Sequence, residues 1–533
     1  MDVQEQTNDL DHFTSQLSAR IWGHRFRDSQ RGPEYVLEFL NVLFGADYSF
    51  SSDSYIRRKS EGLRKFIFEG VKAGGGGDTL VLDEEEKMRL SQAVPEADRY
   101  ALKQFLRNQE VILYNLTGKE ADRSWYAKSL YPLHQSLLYV EMRKKGKKLQ
   151  SERNFYARGG ELYFLMLSHG TDGEPQRRAF IESRIANLLT RNKAIEKVVE
   201  KITGAFEIRE KEERGQLYAK KTGTGKNAPD EVPMLPSSAY EENKQLFTQF
   251  AYELERLLLV DIEILDMFHL LTSLVCFQLA RYMHERSLQE DSDHLYFCDC
   301  LEGGNKPLFQ QSARIFDEHE NLIKSRFERE FEQNFRHAVG QPEQIAEQLP
   351  AWKLDPDAFI DKLGLKSMVK RKEAIKRVLA KCVTTDDVLT KLYSEVREAV
   401  SEQMKKHQLN VTRTLSRDGG FATFRRGSGA NYRYTISDSF LQMLVFTKVR
   451  PKEKMEYHEF LETLYQDYHI VIGEQQAKSS GLYTRSKLNV RYFQENEKAL
   501  RSKLKLNGLL VEFSDATAMI HNPYASAMEG SYV

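Results

Sequence analysis

Few side chains in this chain have the types and spacing that chemistry requires. His294-x3-Cys298-x-Cys300 is its one cluster of metal-like residues. A structural zinc site draws four ligands, ordinarily as two short-spaced pairs. The second pair is missing, because Cys276 and Cys382 stand far away in helical patterns. Two reduced cysteines beside a loop are therefore expected, and no metal. Asp266-x-x-His269 could be half of a di-iron bundle, which needs the pair twice with extra glutamates. It occurs once, so a satisfied core histidine is expected. Ser168-His169 lacks the G-x-S-x-G elbow of a serine nucleophile. Gly225-Lys226 resembles the end of a phosphate loop, but that pattern needs Gly at position 220, where Lys stands, and Ser or Thr where Asn227 follows. Acid–base pairs such as Glu207 with Lys211 are common in a chain with 29% charged residues. No catalytic residue, metal ligand or cofactor is assigned.

Cations interleaved with aromatic rings carry the better signal. Arg413, Arg417, Arg425, Arg426 and Arg433 lie in Val411–Tyr434 against one acid, Asp418, with Phe421, Phe424, Tyr432 and Tyr434 between them. Such a stretch suits a basic β arm whose guanidiniums meet phosphates and whose rings pack on sugars or unstacked bases. Further along, Arg485, Lys487, Arg491, Lys498, Arg501, Lys503 and Lys505 face two acids, Glu495 and Glu497. Arg485, Lys487, Arg491 and Lys503 join the five arginines as expected nucleic-acid contacts. Arg20–Pro33 is also rich in Arg and aromatics, though a loop paired with acids of its own domain explains it as well. Arg143–Lys148 is the most basic hexamer and fits a solvated turn.

Several long elements must position these groups. Tyr240–Ser287 contains neither Gly nor Pro and is apolar on nearly every face from Leu257 to Ala280, the mark of a helix, or a helix pair, enclosed by protein. Its uncharged run Met267–Ala280 is too short to span a bilayer. Gln176–Thr203 reads as one helix ended by Gly204, and Ser312–His337 as an amphipathic helix with Phe316, Ile323, Phe327, Phe331 and Phe335 on one stripe. Glu161–Ser168 fits a buried strand or a short helix. Gly340–Pro356 reads as a proline-punctuated connector. Near the end come helices Asp438–Val445, Tyr457–Tyr468 and Asn489–Leu506, followed by extended runs Leu509–Phe513 and Ala518–His521. Three helices closed by a hairpin is the order of a winged helix.

The chain has 533 residues, no net charge and four cysteines. That length implies several domains, and so few cysteines imply a reducing cytoplasm. The polar, acidic N-terminus resembles no targeting signal. The expected fold class is mainly α: a multi-domain helical body with a C-terminal α+β winged-helix-like domain. The boundaries read as an N-terminal helical domain (1–150), a helical segment ending in a linker (151–237), a central helical core (238–345), a helical connector (346–410), the basic β arm (411–436) and the winged-helix-like domain (437–533), which is expected to fold alone.

Arg20–Phe44, Phe155–Leu167 with its Arg158-Gly-Gly-Glu161, and Tyr432–Val445 resemble segments of accessory subunits in bacterial anti-phage DNA restriction systems. The nearest is the G subunit of phosphorothioation-dependent restriction. The resemblance implies a non-catalytic partner of an ATPase or helicase and a nuclease, and it carries over no functional residue. The expectation is a non-enzymatic, DNA-associated subunit of a multi-protein defence or DNA-processing complex. The rivals are a metal-dependent nuclease with a degenerate site and a pure protein–protein scaffold.

Overall fold

A computed structural model describes the chain from residue 17 to residue 528 apart from short stretches, of which 72–79, 122–127, 152–158, 218–229 and 425–431 are the longest. The body is mainly helical. Its principal helices are α1 (Gly32–Gly45), α2 (Gly159–Gly170), α3 (Pro175–Thr190), α4 (Lys193–Leu217), α5 (Ser237–Leu258), α6 (Ile264–Glu285), α7 (Lys306–Val339) and α8 (Asn410–Asp418).

Helix α6 is the axis of the molecule. Every residue from Leu270 to His284 is buried, because α1, α5, α8 and the later helix α9 all pack against it. By length and composition it could cross a membrane, but most of its apolar window is buried inside the protein. The Tyr240–Ser287 run is a helix pair, broken at Leu259–Glu263. Backbone pairing holds that break: Asp261 N–H donates to Ala525 O (3.0 Å), and Ala527 N–H donates to Leu259 O (2.8 Å). At the start of α6 Glu263 pairs with Arg191, and Asp266 is exposed.

Glu161–Ser168 resolves as helix, within α2. An added Cβ on Gly160 would stand 2.4 Å from Tyr35 O and 2.5 Å from Phe39 N, so α1 and α2 touch backbone to backbone there. The expected single helix Gln176–Thr203 is two, α3 and α4, parted at Arg191-Asn192, and α4 runs through Gly204. Gly204 has open space around it, so the helix tolerates it. The connector Gly340–Pro356 contains a helix, Pro342–Leu354, with Pro350 inside it. Helix α7 buries the five expected residues of its apolar stripe.

The stretch expected as an arm is only partly extended. Val411–Asp418 belongs to α8, whose apolar positions Val411 and Leu415 are buried. Strands β2 (Ala422–Phe424) and β3 (Tyr432–Tyr434) then form an antiparallel pair packed on α7. A shorter strand, β1 (Tyr296–Phe297), precedes α7.

The C-terminal part runs α9 (Asp438–Lys448), β4 (Lys454–Glu456), α10 (Tyr457–Tyr468), β5 (Ile470–Val471), α11 (Leu482–Ser486), α12 (Val490–Leu506), β6 (Leu510–Glu512) and β7 (Ala518–His521). Its sheet is antiparallel, in the order β6-β7-β4. Strand β4 was not foreseen; three residues are too few for periodicity to show. Packing continues across the boundary set at Ser437. Strand β5 pairs in parallel with β1, Asn496 Nδ2 donates to Cys298 O (2.8 Å), and α9 lies against α5 and α6.

Candidate nucleic-acid interface

The described arginines of the expected arm face inward. Arg413 makes a two-pronged contact with Glu320 of α7, Nε to Oε1 at 2.5 Å and Nη2 to Oε2 at 2.8 Å. Arg417 donates to Asp418 Oδ1 (2.7 Å) and to the carbonyls of Tyr114 and Asn115, tying that loop to α8. Arg433 is 5% exposed and donates through Nε to Asp299 Oδ2 at 3.0 Å. The rings are occupied as well. Phe421, Tyr432 and Tyr434 are buried, with Tyr432 stacked on Phe316 at 5.3 Å. Alternating Arg and aromatic residues therefore describe a hairpin docked on a helix with acids beside its apolar stripe, and Arg433 has no surface to offer a phosphate. Arg425 and Arg426 lie outside the described residues.

The cations of the C-terminal part divide by position. Lys503 turns inward, donating to Glu302 Oε1 (2.5 Å) and Ile436 O (3.0 Å). Arg485 and Lys487, on α11 and at its end, are exposed, as are Arg491 and Lys498 on α12. Arg491 is paired with Glu495 at 3.1 Å, one helical turn on. Among the described residues Arg485, Lys487 and Lys498 enter no ion pair. Lys498 stood in the basic run but was not singled out; its step of seven from Arg491, two helical turns, was the signal for a shared face. The acids of α12 have neighbours of their own. Glu497 faces His458, and burial raises its pKa, while Glu495 answers Arg491. Arg485 and Lys487 thus lie exposed and without an ion pair, among the described residues, just before α12.

His294, Cys298 and Cys300 are all buried. Burial pushes the Cys300 thiol up to about 12 and the Cys298 thiol well above its usual value. His294 sits among His284, His319, Tyr296 and His469. His284 Nδ1 and the Tyr296 hydroxyl are hydrogen-bonded at 2.6 Å, as are His319 Nδ1 and the Tyr434 hydroxyl. Burial lowers His284 and His294 to about 3. His269, expected in the core, is exposed, with its ring toward Tyr131.

A second set was not foreseen: His134, Glu196 and Glu200 bring one ligand atom each within 4.8 Å of one another. Glu196 and Glu200 are a helical i, i+4 pair, but His134 is 62 residues upstream of the nearer, and nothing in the sequence joins them. The donor set does not suit a cation. His134 Nδ1 accepts Ser136 N–H at 3.2 Å, so the neutral ring carries its proton on the buried Nε2. Lys193 already holds Glu196 at 2.8 Å.

Comparison with known proteins returns nothing: no family model, no curated protein and no solved structure matches this chain. Function rests on the site itself.

Proposed function

We propose that the chain is a non-enzymatic, DNA-associated subunit of a multi-protein bacterial defence or DNA-processing complex, working in the cytoplasm beside an ATPase or helicase and a nuclease. Its C-terminal part is read as a winged helix. In support, α9, β4, α10, α12, β6 and β7 follow in the order helix, strand, helix, helix, strand, strand, with β5 and the short helices Glu474–Ser479 and α11 inserted between α10 and α12, and the sheet order β6-β7-β4 places the last strand between the other two. In DNA-binding members of that fold the third helix lies in the major groove while flanking cations hold phosphates. The helix in that position here is α12, the last one before β6.

The observation that carries the reading is the exposed set Arg485, Lys487, Arg491 and Lys498, three of which have no ion-pair partner among the described residues. A salt series of binding titrations on duplex DNA, with wild type and an Arg485→Ala/Lys487→Ala variant, tests it. The scaffold reading has its own support: Val81, Met88, Tyr100, Phe105, Ile112 and Tyr114 are exposed within one short region. That apolar surface is where a partner subunit would sit.

A further inference from the structure

A cavity of about 480 Å³ opens where α7 ends and the chain turns back. Its walls come from the last turns of α7, from helices Pro342–Leu354, Pro356–Lys362 and Tyr393–Met404, and from Leu17 and Arg20. That volume lies inside the range of small-molecule sites, roughly 300–1,000 Å³.

We propose that this cavity binds an aromatic carboxylate, its ring among the apolar side chains and its anion at the rim. The site is separate from the α12 surface and does not depend on the DNA-associated reading. Its floor is apolar: Leu17, Phe331, Phe335, Val339, Leu363 and Val396 line it, and all are buried. Phe331 and Phe335 both meet the ring of Tyr393, Phe331 in a near-parallel stack at 5.8 Å. A planar ring laid beside them extends that packing. The rim offers mostly donors. Arg20 is exposed and enters no ion pair or hydrogen bond among the described residues. Gln344 Oε1 accepts Gln341 N–H (3.0 Å), and Gln348 Oε1 accepts from Lys362 Nζ (3.3 Å). Each amide therefore keeps its NH2 group to donate. Lys362, held by Gln348 and lying 5.5 Å from the Trp352 ring centre, is the second cation. Asp361 is the one carboxylate among the lining residues. A guanidinium and two amide donors above an apolar floor suit an anion joined to a ring.

Two features of the backbone shape the site. Gly340, at φ +86°, ends α7 and reverses the chain, and a Cβ there would stand 2.4 Å from Gln344 Oε1. Helix Tyr393–Met404 is entered through a π-helical turn, Val388–Leu392. The wider turn shifts the register of the helix that carries Val396 to the wall, and such turns recur at functional sites.

Calorimetric titration of the full chain with benzoate, indole-3-carboxylate and 2-naphthoate, each beside its neutral amide, tests this. At least one acid should bind about tenfold or more tighter than its amide, the scale of a charge-assisted hydrogen bond. Arg20→Gln should remove most of that preference, and a substitution at so exposed a position leaves the fold intact. Ala338→Trp, at a half-buried lining position, should fill the cavity and abolish binding of acid and amide alike, with the circular dichroism unchanged. Arg485→Ala/Lys487→Ala should keep the preference. No acid preferred over its amide, a preference undiminished in Arg20→Gln, binding that survives Ala338→Trp, or a preference lost in the Arg485/Lys487 variant would overturn the assignment.

Discussion

Arg433 Nε stands 3.0 Å from Asp299 Oδ2, and both side chains are buried. Asp299 also accepts the N–H groups of Leu301 and Gly303, so this pair fixes the turn after β1 to strand β3. Burial works against its carboxylate, and Arg433 is the cation that offsets it. Arg433→Ala should therefore cost about 3–5 kcal/mol by leaving a buried charge unpaired. Urea unfolding measures it; a loss below about 1 kcal/mol, the range of an exposed pair, would return Arg433 to the surface.

Two glycines should respond in opposite directions. Gly160→Ala forces a Cβ against the backbone of α1 and should destabilise by about 1–3 kcal/mol or more. Gly204→Ala places one in open space on α4 and should stabilise by up to about 1 kcal/mol. Thermal unfolding of both variants checks the sign, and a stabilising Gly160→Ala would contradict the contact of α1 with α2.

Stability should also fall in mild acid. His284 and His294 are lowered to about 3 by burial, from an ordinary 6.5 that the unfolded chain retains. The unfolded state then takes up protons first, so stability is full above pH 6.5 and is lost progressively as pH falls toward about 3. Glu285, Arg281 and His469 face His294, and Glu285, raised by burial, works in the opposite sense. His294→Gln should flatten the curve in that window. An unchanged pH dependence would mean that His294 is not held neutral.

Much of the helical body could be read directly. The apolar run of α6, the stripe of α7 and the capping box from Asp83 to Glu86 at the start of helix Glu84–Ala93 all write their geometry into local spacing. The break between α5 and α6 did not show as one, because residues near the end of the chain hold it. The same limit applied to Arg413, Arg417 and Arg433. Their partners Glu320, Asp299 and the Tyr114–Asn115 carbonyls lie from 93 to 303 residues away, so a buried ion pair looked like a free cation. For the candidate interface, burial divided the cations: Lys503 turned inward, while Arg485, Lys487 and Arg491 stayed out.

On the DNA-associated reading, the exposed cations of α11 and α12 meet phosphates. Fluorescence anisotropy on a labelled duplex, repeated across a salt series, reads this as the slope of log affinity against log salt. Wild type should lose affinity steeply as salt rises, and Arg485→Ala/Lys487→Ala should flatten the slope by about two, equally on unrelated sequences. Arg425→Ala/Arg426→Ala, measured alongside, shows whether the hairpin adds to the same contact. Wild-type binding that is absent on duplex and single strand, or a slope that the Arg485/Lys487 variant leaves unchanged, would contradict this reading.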